Sequence, residues 1–136
     1  MSSGYSGTPL PTKLGIKPDS RLGLMNAPAD FMVTLGELPH GVRVLVGRLH
    51  PPVDVIVAFF TERRDLERRL PGLIGVLEKA GGLWIAWPKR ASGVETDITE
   101  DVVREAALAE GVVDNKVCAI DETWSGLRLV VRLRDR

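Results

Sequence analysis

Val53-Asp-Val-Ile-Val-Ala-Phe-Phe60 decides the fold. All but Asp54 are apolar, and β-branched and aromatic side chains dominate, which is the composition of a strand. A strand with one wet face alternates apolar and polar residues. This one does not, so it is expected to be buried on both faces, as strands are in a parallel sheet covered by helices. The run is far too short to cross a bilayer.

The segment after it supplies such a helix. Leu66, Leu70, Leu73 and Leu77 recur as one apolar stripe, with Thr61 or Asp65 as N-cap. Pro71 falls inside the stripe and predicts a kink or two shorter helices. Gly81-Gly82 reads as the stop. Leu83 to Trp87 is a fourth strand, and it breaks at Pro88 into a basic loop. A second helix follows residues 88–97, capped by Asp97 or Thr99, with Glu100 and Asp101 favourable in its first turn. Val103, Ala106 and Ala107 form its apolar side, and Gly111 ends it. Lys116 to Asp121 is a fifth strand, residues 122–126 a turn, and Leu127 to Arg134 a sixth strand. In that last strand Leu127, Leu129, Val131 and Leu133 share one face and arginines occupy the other, the pattern of an exposed edge blunted against aggregation.

Upstream, residues 1–12 are rich in Ser, Gly, Thr and Pro and read as an irregular tail, with Tyr5 as its one aromatic. The turn residues Lys17-Pro18-Asp19 lead into a first strand, Arg21 to Met25. Asp30 is expected to cap a short helix carrying Phe31, Leu35 and Leu38, ended by Pro39-His-Gly41. Val42 to Val46 is a second strand, and Leu49-His-Pro-Pro52 a rigid link to the opening stretch. Strands alternate with helices, and two adjacent strands close the chain. That order predicts one three-layer, Rossmann-like α/β domain over residues 13–136, its sheet mostly parallel with a terminal antiparallel strand.

Composition bounds the function. Lys+Arg and Asp+Glu both number 18, a balance that argues against a general nucleic-acid or membrane-surface binder. The lone cysteine, Cys118, forms no intrachain disulfide, which suits a reducing cytosol. The first residues carry no apolar core of a signal peptide, so a cytoplasmic location is expected.

Two resemblances run along the chain. Leu14-Gly-Ile-Lys-Pro-Asp-Ser-Arg21, Val53-Asp-Val-Ile-Val57 and Leu77-Glu-Lys-Ala-Gly-Gly-Leu-Trp-Ile85 resemble segments around the first, fourth and fifth strands of Rossmann-like methyltransferases. The resemblance implies their fold with its antiparallel ending, in a chain shorter by about one strand–helix unit. It does not extend to their cofactor motif. Asn26-Ala-Pro-Ala-Asp30 stands where the family has a glycine-rich loop, and Arg48-Leu-His50 where it has a ribose-binding acid. No cofactor is therefore expected. The second resemblance, carried by Gly4 to Leu10, Leu14 to Lys17, Leu83 to Lys89, Thr96 to Glu100 and Asp121 to Leu127, is to a family of small bacterial proteins known only as a domain of unknown function. It implies no activity.

Motifs of catalysis are missing from the sequence. Gly4-Tyr-Ser-Gly-Thr8 lacks the last glycine of a nucleophile elbow. There is no phosphate-binding glycine loop. Cys118, His40 and His50 are isolated, so no metal site is expected. Arg63-Arg64 and Arg68-Arg69 alternate with Glu62, Asp65 and Glu67, a solvated, salt-bridged helix face. Trp124 reads as an aromatic covering the core at a turn. In open α/β sheets ligands bind beyond the carboxyl ends of the strands. Those ends and the loop after them supply the candidate ligand-binding residues: Asn26, Thr61, Trp87, Lys89, Arg90, Ser92 and Asp97. The cations beside a helix N-terminus suit an anionic or nucleotide-like ligand. Trp87 can stack on a ring, whereas alternation turns Trp84 to the other face. The expectation is a non-catalytic module for such a ligand or for a protein partner. The alternatives are a divergent group-transfer enzyme using Asp97, Asp121 or Lys89, and a homo-oligomeric structural protein joined through an edge strand.

Overall fold

The computed structural model describes residues 7–136; Tyr5 and the segment Gly4 to Ser6 lie outside the described residues. Strand β1 spans Arg21–Met25, β2 Arg43–Val46, β3 Val53–Phe59, β4 Leu77–Pro88, β5 Val112–Ala119 and β6 Trp124–Val131. They form one six-stranded sheet in the order β2-β1-β3-β4-β6-β5. The first four neighbours in that order are parallel, and β6 runs antiparallel to both β4 and β5. Helices α1 (Leu10–Lys13) and α2 (Phe31–Leu35) join one side, and α3 (Arg63–Val76) and α4 (Glu100–Ala109) the other. The predicted three-layer α/β architecture is thus observed. No helix among the described residues is long and apolar enough to cross a membrane.

The opening stretch is the centre of both cores. Val53, Ile56 and Ala58 pack with Leu66, Leu70 and Leu73 of α3 on one face. Val55, Val57 and Phe59 pack with Phe31 and Trp84 on the other. Burial on both faces is what the missing alternation implied. The single polar residue of the stretch is also engaged, since an Asp54 carboxylate oxygen accepts the Arg21 backbone N–H at 2.8 Å. The Arg21 guanidinium in turn donates to the carbonyls of Pro52 and His50, which holds the link between β2 and β3. Trp84 is fully buried, and its indole N–H donates to the Leu14 carbonyl at 3.0 Å, tying the segment before β1 to the sheet.

Several boundaries differ from expectation. Residues 10–12, read as part of an irregular tail, belong to α1, where Pro11 is buried. Asp30 sits at the cap position of α2 without a side-chain bond, and Leu38 lies beyond that helix. Pro71 does not break α3. Glu67 and Pro71 both lie on its exposed side, where solvent satisfies the freed carbonyl, while Leu66, Leu70 and Leu73 anchor the buried side. Gly81-Gly82 does not end α3 either. The helix stops at Val76, and Leu77 already pairs with Val53. Both glycines lie within β4, where backbones crowd: a side-chain carbon at Gly81 would collide with the Asp54 carbonyl oxygen. The fifth strand starts earlier than read, at Val112, and the sixth runs from Trp124 only to Val131, leaving Leu133 80% exposed. Finally, β6 is no edge. It lies between β4 and β5, and its Arg128 fits there because its guanidinium lies against Gly82, where no side chain intervenes.

Candidate functional site

The carboxyl ends of β3 and β4 open side by side onto the segment 89–99. β4 ends at Trp87-Pro88, and the chain continues through a 3-10 turn, Arg90–Ser92, closed by Gly93 in the left-handed region at φ 77°. Only glycine adopts that conformation without strain. The Lys89 N–H donates to the Thr123 carbonyl at 2.7 Å, so the exit from β4 is fastened to the turn before β6. Downstream, the Thr96 hydroxyl donates to the Thr61 carbonyl at 2.6 Å and accepts from Ile98 N–H at 3.1 Å. Asp97 accepts the Arg63 N–H at 2.6 Å, capping the first residue of α3 from 34 residues away. The Thr99 hydroxyl accepts from Val102 N–H and caps α4. The segment is bolted down at both ends and in the middle.

Two cavities adjoin here and share Glu95 and Thr96. One, of about 490 Å³, is lined by Trp87, Pro88, Arg90, Val94 and Thr99 as well as the shared pair. The other, of about 450 Å³, lies against Thr61, Glu62 and Asp97. Together they form a groove across the ends of β3 and β4. Trp87 is 7% exposed and forms part of the buried wall. Among the described residues, Arg90, Glu62 and Glu95 have no ion-pair partner, whereas Glu100 is engaged by Arg104 at 2.6 Å. The groove therefore presents one unengaged cation and two unengaged carboxylates.

Of the seven candidate residues, Thr61, Trp87, Arg90 and Asp97 line this groove. Lys89 and Ser92 line neither cavity. The Ser92 hydroxyl is engaged within its own loop, donating to the Lys89 carbonyl at 2.6 Å and accepting from Val94 N–H at 3.1 Å. Asn26 stands at the end of β1 with φ 56°, and its amide donates to the Phe59 carbonyl at 3.1 Å, fastening β1 to β3. Phe59 is flanked edge-on by Phe31 and Trp124, with ring centres 5.0 and 5.1 Å away. Asp121, a residue considered for catalysis, accepts the backbone N–H groups of Thr123 and Trp124 at 2.8 Å and shapes the β5–β6 turn. Cys118 is half-buried, and that burial raises its thiol above the ordinary pKa despite nearby Lys13 and Lys116. Among the described residues, no group of three or more His, Cys, Asp or Glu side chains is placed to hold a metal ion.

Glu62 read as part of a solvated, salt-bridged helix face, and Glu95 was not singled out, because an isolated loop glutamate carries no spacing signal. The signal available was position, between β3 and α3 for Glu62 and between β4 and α4 for Glu95. At the opposite end of the sheet, a cavity of about 440 Å³ includes Lys17, Ser20, Asp54, Glu78 and Arg128. Burial, and then the neighbouring Arg136, pull the Arg128 guanidinium below its ordinary pKa.

With this geometry in hand, comparisons place the chain among known proteins. The model of a family described as protein of unknown function (DUF3052) matches residues 43–133. No curated protein is close enough in sequence to count as a match. Among solved structures, the chain is similar to a SAM-dependent methyltransferase from Aquifex aeolicus, with TM-score 0.65 and 17% identity over 88% of this chain and 87% of that one. It also resembles the magnesium protoporphyrin IX methyltransferase of Synechocystis, a structure with bound SAH, with TM-score 0.57 and 9% identity over 90% and 78% of the two chains. The fibrillarin pre-rRNA processing protein of Methanococcus jannaschii gives TM-score 0.56 and 16% identity over 85% and 68%. At these identities the likeness speaks to the fold, which is the Rossmann-like fold of methyltransferases.

Proposed function

The chain belongs to the DUF3052 family, and on that premise we propose that it is a non-catalytic ligand-binding module of methyltransferase-like fold, taking a small nucleoside-bearing ligand in the groove beyond β3 and β4. The observation that carries this reading is the groove's lining: Trp87 in its wall, with Arg90, Glu62 and Glu95 in no ion pair among the described residues. Ionised side chains without partners gain from a ligand that brings hydrogen bonds to them. The two carboxylates suit ribose hydroxyls or an amino group, and Arg90 suits one carboxylate or phosphate. An adenosyl compound offers all of these. The non-catalytic part of the reading is supported by how the acids considered for catalysis are used: Asp97 holds one backbone N–H and Asp121 two.

The test is thermal unfolding of the protein with S-adenosylmethionine, S-adenosylhomocysteine, adenosine and AMP, beside a methyl-release assay. A ligand at a hundred times its Kd stabilises the folded state by about 2.7 kcal/mol, a shift easily read. Stabilisation by an adenosyl compound, lost in Arg90→Ala or Glu95→Gln and kept in Lys89→Ala, supports the groove. Equal loss in Lys89→Ala, or no shift with any of the four, overturns it. Turnover of S-adenosylmethionine would make the chain an enzyme and sink the non-catalytic reading.

A further inference from the structure

The two edges of the sheet are built differently. At one edge, β5 is interrupted by a bulge between Asp114 and Lys116, and Asp114, Asn115 and Lys116 occupy that stretch. Charge and irregularity of this kind block edge-to-edge pairing. At the other edge, β2 reads Arg43-Val-Leu-Val46, pairs regularly with β1, and leaves Val44 37% and Val46 72% exposed. Nothing in β2 interrupts its outer row of backbone groups.

We infer that β2 is a homodimer edge, pairing antiparallel with β2 of a second copy about a twofold axis through Leu45. This goes beyond the ligand-binding reading and does not depend on it. The Arg43 N–H bonds to the Ser20 carbonyl, so Arg43 and, by alternation, Leu45 direct their backbone groups toward β1. The N–H and C=O groups of Val44 and Val46 then point outward. A twofold axis through Leu45 sets Val44 of one copy opposite Val46 of the other, twice. In an antiparallel ladder such outward-facing residues exchange both hydrogen bonds, and the central Leu45 pair falls at a non-bonded position, as the alternation requires. Directly opposite residues share a face, so valine meets valine and leucine meets leucine. Arg43 faces Gly47 of the second copy, and no arginine faces another. Shifting the axis to Val44 would set Arg43 against Leu45, and shifting it to Val46 would set Arg48 against Val44. The centred register is the one that satisfies both apolar contact and backbone. The patch is self-complementary, as an isologous interface must be. Met32 and Val33 of α2, 45% and 84% exposed on the same side of the sheet as the two valines, add apolar area.

A four-residue ladder is small beside the ~1,600 Å² of a standard interface, so the dimer is expected to follow mass action over accessible concentrations. Sedimentation velocity across about a thousandfold range of concentration should carry the mass from the 14.9 kDa of one chain toward twice that value. Hydrogen exchange at the Val44 and Val46 amides should slow in parallel. Val46→Lys should weaken association about tenfold or more, equivalent to ~1.4 kcal/mol. Val46→Pro should do the same by removing an outward donor while sparing the ladder with β1. Val117→Lys, at an exposed position of β5, should change nothing. A single-chain mass at every concentration overturns the inference. So does association that survives both Val46 variants, or that is lost in Val117→Lys.

Discussion

Helices α3 and α4 cover the same face of the sheet and are specified in opposite ways. α4 is capped by its own Thr99, has Glu100 and Asp101 in its first turn, and ends before Gly111, whose φ of 82° only glycine adopts freely. α3 has Glu62 at its cap position with no side-chain bond, receives its cap from Asp97, and passes into β4 without a glycine between them. Their buried sides differ as well: α3 contributes Leu66, Leu70 and Leu73, and α4 contributes Val103, Ala106 and Ala107. One helix is a local unit seated closely through small side chains. The other is held by bulk and by partners remote in sequence.

The contrast in bulk predicts the largest effect. Leu70 is 1% exposed in the core, so Leu70→Ala should cost about 2–5 kcal/mol in urea unfolding, through lost transfer energy and the cavity left behind. Ala107→Gly in α4 removes one methyl and loosens the backbone, and should cost about 1 kcal/mol. Equal costs would mean that both helices depend on packing to the same degree. The ending of α3 gives the next effect. If Gly81-Gly82 served as a helix stop, alanine at either position would act through backbone strain alone. In β4 the two sites differ: a new carbon at Gly81 meets the Asp54 carbonyl, which is fixed, whereas at Gly82 it meets the Arg128 guanidinium, which can swing away. Gly81→Ala should therefore cost about 1–3 kcal/mol and Gly82→Ala clearly less. The reverse order would contradict the crowding seen in the sheet.

The same contrast explains what could be read from the sequence. The central strand declared its double burial because Val53 to Phe60 does not alternate, and α4 declared its start because Thr99 and its acids are local. The opposite faces of Trp84 and Trp87 followed from strand period alone, and the two residues do fall in different core clusters. Misreadings gathered where a remote partner decides the outcome. The amino half of β4 looked helical because its pairing with β3 is invisible in the local pattern. The arginines of β6 suggested an exposed edge because the room for Arg128 is left by Gly82, on a different strand and far back in the chain. At the groove, Thr61, Trp87 and Arg90 were legible from the rule that ligands sit beyond strand ends. Asn26 and Ser92 looked free only because a sequence does not show which hydrogen bonds are already made.

The smallest effects separate the helices most sharply. Asp97 and Thr99 stand two residues apart, and each caps a different helix. Removing a cap costs about 0.5–2 kcal/mol, so Asp97→Ala and Thr99→Ala should look alike in global unfolding. Their local signatures should not. Thr99→Ala should speed hydrogen exchange at Val102 and leave Arg63 unchanged. Asp97→Ala should speed exchange at Arg63, the first residue of α3, and leave Val102 unchanged. Asp97→Asn should restore most of the bond, since an amide oxygen also accepts, but lose the carboxylate's attraction to the positive helix end. If Asp97→Ala loosened α4 instead, the remote cap would be incidental and α3 would stand on its stripe of leucines alone.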